Sequence, residues 1–175
     1  MDKPKHFKLV GNYPKITELK KNVLSFDDIQ WNRFKYKQKT VVGHKDTRTI
    51  PLIYDYMKKT RKITHPNYVL LEENLKDISK WLHSVGYPQE IKRANLVKLL
   101  SNSQISAHID KGEFLQSTNR VHFVVRTNPF CYFKVGDEIQ AFGEGEVWEL
   151  NNTGEIHSVH NDGDTDRIHL IVDMG

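Results

Sequence analysis

From residue 93 to the end, the chain divides into eight short runs with strand character: Ala94–Leu100, Ile105–Ile109, Arg120–Thr127, Cys131–Val135, Glu138–Ala141, Glu146–Leu150, Ile156–His160 and Asp166–Asp173. Turn-forming residues separate them, including Thr127-Asn128-Pro129, Gly136-Asp137 and Phe142-Gly143-Glu144-Gly145. A half-buried strand needs a facing layer, so eight of them after a helical section argue for two sheets packed on each other. The expected fold is mostly β with flanking helices, around a double-stranded β-helix core of the jelly-roll or cupin-like kind.

The earlier part reads differently. Ile16 to Leu24 has helical spacing, with Ile16, Leu19, Val23 and Leu24 on one side. A longer helix runs from about Asn67 to His83, after Pro66 and before Gly86-Tyr87-Pro88. Its apolar stripe of Leu71, Leu75, Ile78 and Leu82 should lie on the outer face of a sheet. Residues 1–12 read as an irregular basic lead-in, and 40–56 as short strand-like pieces at a pocket rim. The expectation is one domain over residues 1–175, with 1–92 as a helical and irregular buttress and 93–175 as the jelly-roll core.

With 175 residues and 38% hydrophobic content the chain can bury one substantial core. A single cysteine, Cys131, excludes an internal disulfide framework and a multi-cysteine zinc site. No run approaches the ~20 apolar residues of a membrane span, and the amino terminus lacks a signal-peptide apolar region, so the expected location is cytoplasmic, with no membrane partner. Residues 1–62 carry 16 Lys/Arg against 6 Asp/Glu, and residues 63–175 carry 10 against 16; the net +4 hides this split. Because no Arg-rich block, Cys/His finger or RNA-binding signature accompanies it, the basic section is expected to lie against the acidic part of its own domain. The aromatics Phe26, Trp31, Phe34 and Tyr36 are likewise expected to pack rather than stack bases.

The chemistry gathers in the strands. His-x-Asp occurs three times, as His44-Lys45-Asp46, His108-Ile109-Asp110 and His160-Asn161-Asp162, where chance at this composition gives about 0.6. Only His108 and Asp110 stand on a strand with a distant histidine, His157, on another. Two residues apart, they project from one face and can bind one metal ion. Asn161-Asp162-Gly163 is a strong turn signal, and a three-residue hairpin with Gly163 in the left-handed conformation would set His157 opposite Arg167. Arg167, His169 and Ile171 then share one face. A third pair, Arg120 and His122, also shares a face; if that face is interior, its cationic groups need an anion. Two histidines and a carboxylate suit non-haem Fe(II), leaving open positions for a cosubstrate and O₂, and an arginine one strand away can grip a dicarboxylate's far end.

Together these pieces resemble the aspartyl/asparaginyl β-hydroxylase-like Fe(II)/2-oxoglutarate oxygenases, which have relatives acting on free proline. The resemblance runs from about Ala94 to Met174 and rests on His108-Ile-Asp110, Arg120-Val-His122 with Thr127-Asn-Pro129, Gly145 to Leu150, and His157 to Arg167 with the following Ile-His-Leu-Ile-Val-Asp173. It implies Fe(II) on His108, Asp110 and His157. It also implies 2-oxoglutarate held by Arg167 at its distal carboxylate, with Arg120 and His122 assisting, and O₂ as co-reactant. No catalytic residue beyond the metal ligands is expected. Asp110 supplies a ligand that some members lack. The implied reaction hydroxylates an amino acid, or an Asp, Asn or Pro-like residue in a peptide or protein, and converts 2-oxoglutarate to succinate and CO₂. His44, Thr47 and Trp148 are the candidate substrate contacts.

Two other readings stand beside it: a metal-binding jelly-roll module of sensing or sugar-binding type without oxidative turnover, and a nucleic-acid partner using the basic section. For the latter, filter binding at about 0.15 M salt should show no sequence-dependent retention of nucleic acid; tight, sequence-dependent retention would contradict the expected packing of that section.

Overall fold

The computed structural model describes residues 3–34, 43–55, 62–64 and 66–175. The expectations for Tyr36 and for residues 40–42 and 56 fall outside these. The elements run β1 (Phe7–Asn12), α1 (Ile16–Leu24), α2 (Asp28–Asn32), β2 (Thr47–Asp55), β3 (Lys62–Thr64), a 3-10 turn (Pro66–Leu71), α3 (Glu72–Ser84), β4 (Ile91–Leu99), β5 (Ser103–His108) and α4 (Glu113–Gln116). They continue through β6 (Asn119–Arg126), β7 (Cys131–Val135), β8 (Glu138–Gln140), β9 (Glu146–Leu150), β10 (His157–Asn161) and β11 (Arg167–Met174).

Two antiparallel sheets result, a large one in the order β1-β9-β6-β11-β4-β2-β3 and a small one in the order β5-β10-β7-β8. From β4 onward the chain crosses between them at every step but β7–β8: at β4–β5, β5–β6, β6–β7, β8–β9, β9–β10 and β10–β11. The β10–β11 unit is central in both sheets: β11 lies between β4 and β6, and β10 between β5 and β7. This is the double-stranded β-helix expected from the strand spacing.

Alternation along each strand separates two interiors. On β11, Ile168, Leu170, Val172 and Met174 join Val121, Phe123 and Val125 of β6 in a core closed by Leu19 and Val23 of α1 and Leu75, Ile78 and Leu82 of α3. Each such side chain contributes about 1.5–3 kcal/mol when fully buried. The opposite parity faces the space between the sheets, where Leu99, Ile105, Val124, Phe133, Val135 and Val159 form a smaller apolar cluster. Trp31 and Phe26 are buried and packed edge to face, as expected for packing aromatics.

Several expectations are corrected. The lead-in contains β1, an edge strand paired with β9, and the expected buttress supplies three strands of the large sheet. The helix expected from Asn67 begins as a 3-10 turn and becomes α-helical at Glu72. The proposed hairpin is absent: His157 pairs with His108 and Val135, while Arg167 pairs with Leu99. Residues 162–166 instead turn a corner between sheets, because neighbouring turns satisfy their polar groups. Buried Asn161 donates through Nδ2 to Leu100 O and Thr165 O, both at 2.9 Å, and accepts from Asn128 Nδ2 at 2.9 Å. Asp166 accepts from the Ser101 amide at 3.0 Å.

Gly163 is not among the glycines with positive φ. Its requirement is space: a Cβ would lie 2.3 Å from Asn128 Oδ1, and Asn128 is pinned by Asn161, Thr165 and the Phe130 amide. Gly163→Ala should therefore lower unfolding free energy by about 1–3 kcal/mol. Urea denaturation checks this, and an unchanged midpoint and slope would contradict it.

Candidate metal centre

His108 ends β5 and His157 begins β10, and the two are paired across the small sheet. β5 bulges here: Ser106 and Ala107 together stand opposite Ser158, and the bulge re-aims the strand end. His108 Nδ1 lies 2.7 Å from Ser106 O and His157 Nδ1 3.4 Å from Glu155 O. A proton donated to each carbonyl leaves the other ring nitrogen, Nε2, free as a ligand. Asp110 follows with Oδ1 3.7 Å from His108 Nε2. One ligand atom from each of His108, Asp110 and His157 lies within 4.8 Å of the others.

The carboxylate is held from behind. Its Oδ2 accepts from Arg120 Nη1 and, at 2.8 Å, from Asn152 Nδ2, while the Asp110 amide donates to Asn152 O. Burial alone would raise the Asp110 carboxyl, but Arg120, Asn152 and the two histidines outweigh it and keep it below the usual carboxylate range. Burial, followed by the neighbouring His108, pushes His157 down to about 4. A neutral His157 imidazole beside an ionised Asp110 carboxylate is the protonation pattern a divalent ion needs.

A cavity of about 240 Å³ extends from this cluster between the sheets. Arg167 enters it 2% exposed, with its guanidinium 4.7 Å over the Phe133 ring. Among the described residues no carboxylate pairs with it, and burial pushes it down to about 9. Its Nε lies 3.1 Å from His169 Nε2 and its Nη2 2.8 Å from His169 Nδ1. Burial and Arg167 drive the His169 pKa far down, so that ring is neutral. His122, also depressed chiefly by burial, places Nδ1 3.3 Å from His169 Nδ1 and leaves a buried Nε2 without a hydrogen-bond partner among the described residues. A cation without an anion and an orphaned imidazole nitrogen in one cavity fit a carboxylate-bearing ligand.

Thus the structure gathers His108, Asp110, His157, Arg167, Arg120 and His122. Arg120 differs from expectation in its partners, since its Nε and Nη1 are engaged by Asp173 and Asp110. His44 reaches the cavity, its ring 5.6 Å from that of His108. Thr47 does not line the cavity: it is fully buried and its hydroxyl donates to His44 O, closing the turn before β2. Trp148 is also elsewhere, stacked on Phe142 with its indole N–H on Glu146. The sequence reading placed His169 on the face of Arg167 but gave it no role, and assigned none to Asn152, Asp173 or Thr49. Parity along β11 points to His169 and Asp173, whereas nothing local marks Asn152, which sits in a turn.

The fold and site are those of a double-stranded β-helix protein with a His/Asp/His cluster facing its interior. The aspartyl/asparaginyl beta-hydroxylase profile matches residues 8–175, and the chain belongs to that family, which makes it an oxidoreductase of the hydroxylase kind. An oxidoreductase of the 2OG-Fe(II) oxygenase family from Burkholderia pseudomallei is similar in fold over 74% of this chain and 67% of its own, at TM-score 0.59 and 15% identity. A predicted oxalate decarboxylase from Thermotoga maritima matches at TM-score 0.38 and 20% identity, over 55% and 72% of the two chains. A cupin 2 conserved barrel domain protein from Salinispora arenicola matches at 0.36 and 13%, over 47% and 62%.

The buried histidines predict the acid response. Because His157 titrates near 4 when folded against 6.5 ordinarily, the unfolded chain takes up its proton first, and His122 and His169 shift the same way. Metal-free stability should therefore fall as pH drops from about 6.5 towards 4, before carboxylate protonation dominates. Urea midpoints across that range test this; a flat profile would contradict it.

Proposed function

We propose that the protein is an Fe(II)/2-oxoglutarate-dependent dioxygenase that hydroxylates an amino acid or a residue of a peptide or protein. Arg167 carries the reading: a buried guanidinium that no carboxylate among the described residues pairs with, in the same cavity as three metal-ligand side chains. A metal-sensing or sugar-binding module has no use for such a group, whereas a dicarboxylate chelating the metal at one end needs a cation at the other.

His108 Nε2, Asp110 Oδ1 and His157 Nε2 would hold Fe(II), a donor set suited to that ion. The chemistry supplied by bound Fe(II), 2-oxoglutarate and O₂ is oxidative decarboxylation to succinate and CO₂, coupled to hydroxylation of a substrate C–H bond. Arg167 and His122 orient the cosubstrate through its carboxylates, and Phe133, Val159 and Ile105 keep the intervening space apolar. Arg120 acts at the metal end by fixing Asp110. The substrate enters on the side lined by His44, Thr49 and Arg93. Among the described residues no helix is long and apolar enough to cross a membrane. We place the protein in the cytoplasm, with no specific nucleic-acid partner.

Arg167→Ala should weaken 2-oxoglutarate binding by roughly 30- to 150-fold, the equivalent of about 2–3 kcal/mol for a lost charge-assisted contact, and Arg167→Lys by less. Metal content should stay near that of the parent. Asp110→Ala should weaken metal binding and abolish turnover. Anaerobic titration of the Fe(II) charge-transfer band reads the first, and metal analysis the second. Unchanged 2-oxoglutarate affinity in Arg167→Ala, or full metal content in Asp110→Ala, would contradict the assignment.

A further inference from the structure

Asp173 stands near the end of β11, 1% exposed, with no part in the ligand set. The register of the large sheet puts Arg93 of β4 and Arg120 of β6 on either side of it. Its Oδ2 accepts from Arg93 Nε at 2.6 Å and its Oδ1 from Arg120 Nε at 2.9 Å. A guanidinium is a rigid plane, so fixing Nε fixes where its other nitrogens point. Here Arg120 Nη1 meets Asp110 Oδ2, which Asn152 also occupies. Both donors fall on one oxygen, and Oδ1 is left turned towards His108.

Resting on the metal reading above, we infer that Asp173 is a positioning residue for the metal carboxylate, acting through Arg120 to hold Asp110 in a one-oxygen binding pose. Arg93 balances the second oxygen of Asp173 and is itself seated 4.7 Å over the Phe114 ring of α4, in the segment just after Asp110. The line Arg93–Asp173–Arg120–Asp110 thus ties three strands of the large sheet to the one ligand that stands outside any strand. A mere clasp between β4, β11 and β6 predicts lost stability alone, whereas a positioning role predicts weaker metal binding that depends on Asp110.

The test titrates metal-free protein with Co(II), followed by its visible absorption in competition with a chelator, for the parent, Asp173→Asn, Asp110→Ala and the double variant. Removing a partner of this kind should weaken Co(II) binding by about 10- to 100-fold in Asp173→Asn. In the Asp110→Ala background the same substitution should change little. Arg120→Gln, which removes the link between the two carboxylates and leaves Asp173 paired with Arg93, should reproduce the loss, and keeps the inference open to refutation if Asp173→Asn does not fold. Parent-like Co(II) affinity in folded Asp173→Asn or Arg120→Gln, or an equal further loss without Asp110, would overturn the inference. Failure of the parent to bind Co(II) would instead overturn the metal centre itself.

Discussion

A guanidinium taken out of water without a carboxylate is costly, and among the described residues Arg167 is in that position, on the central strand of the large sheet. Only a well-packed scaffold holds such a group in place. The other face of the same strand provides it: Ile168, Leu170, Val172 and Met174 anchor β11 in the main apolar core against α1 and α3. One strand therefore stabilises the fold with its even-numbered residues and presents Arg167, His169 and Asp173 with its odd-numbered ones. Destabilised interior groups of this sort are common where a protein is built to bind charge.

The metal cluster follows the same division of labour. His108 and His157 come from the small sheet, and the carboxylate from the segment beyond β5. The residues that orient that carboxylate, Arg120 directly and Asp173 behind it, come from the large sheet. The site is thus a joint product of both sheets, and the crossings that alternate the chain between them bring it together. The corner at Asn161 matters for this reason: its buried amide ties the β10–β11 crossing to the β4–β5 and β6–β7 turns.

Much of this was legible locally. α1, β7 and β9 have the bounds that periodicity and turn residues indicate, and the two-apart spacings of His108/Asp110, Arg120/His122 and Arg167/His169 give shared faces. Pairing was not legible, because register depends on distant strands. Asn161-Asp162-Gly163 carries the same turn chemistry whether the chain folds back in one sheet or crosses to another, so His157 and Arg167 were set on neighbouring strands when they lie on opposite sheets. β1 was hidden because an edge strand with Lys8 and Gly11 shows little alternation. Thr47 and Trp148 were drawn to the site by proximity in sequence to its motifs, whereas their bonds to His44 O and Glu146 show packing roles.

The central claim is that Arg167 and the His/Asp/His cluster serve one dicarboxylate in one reaction. The most direct measurement is release of labelled CO₂ from 2-oxoglutarate carrying its label at C1, by anaerobically loaded Fe(II) protein exposed to O₂ in a single turnover. The account predicts release that requires Fe(II) and matches succinate formed. No release above that of free Fe(II), with metal and 2-oxoglutarate both bound, would contradict it.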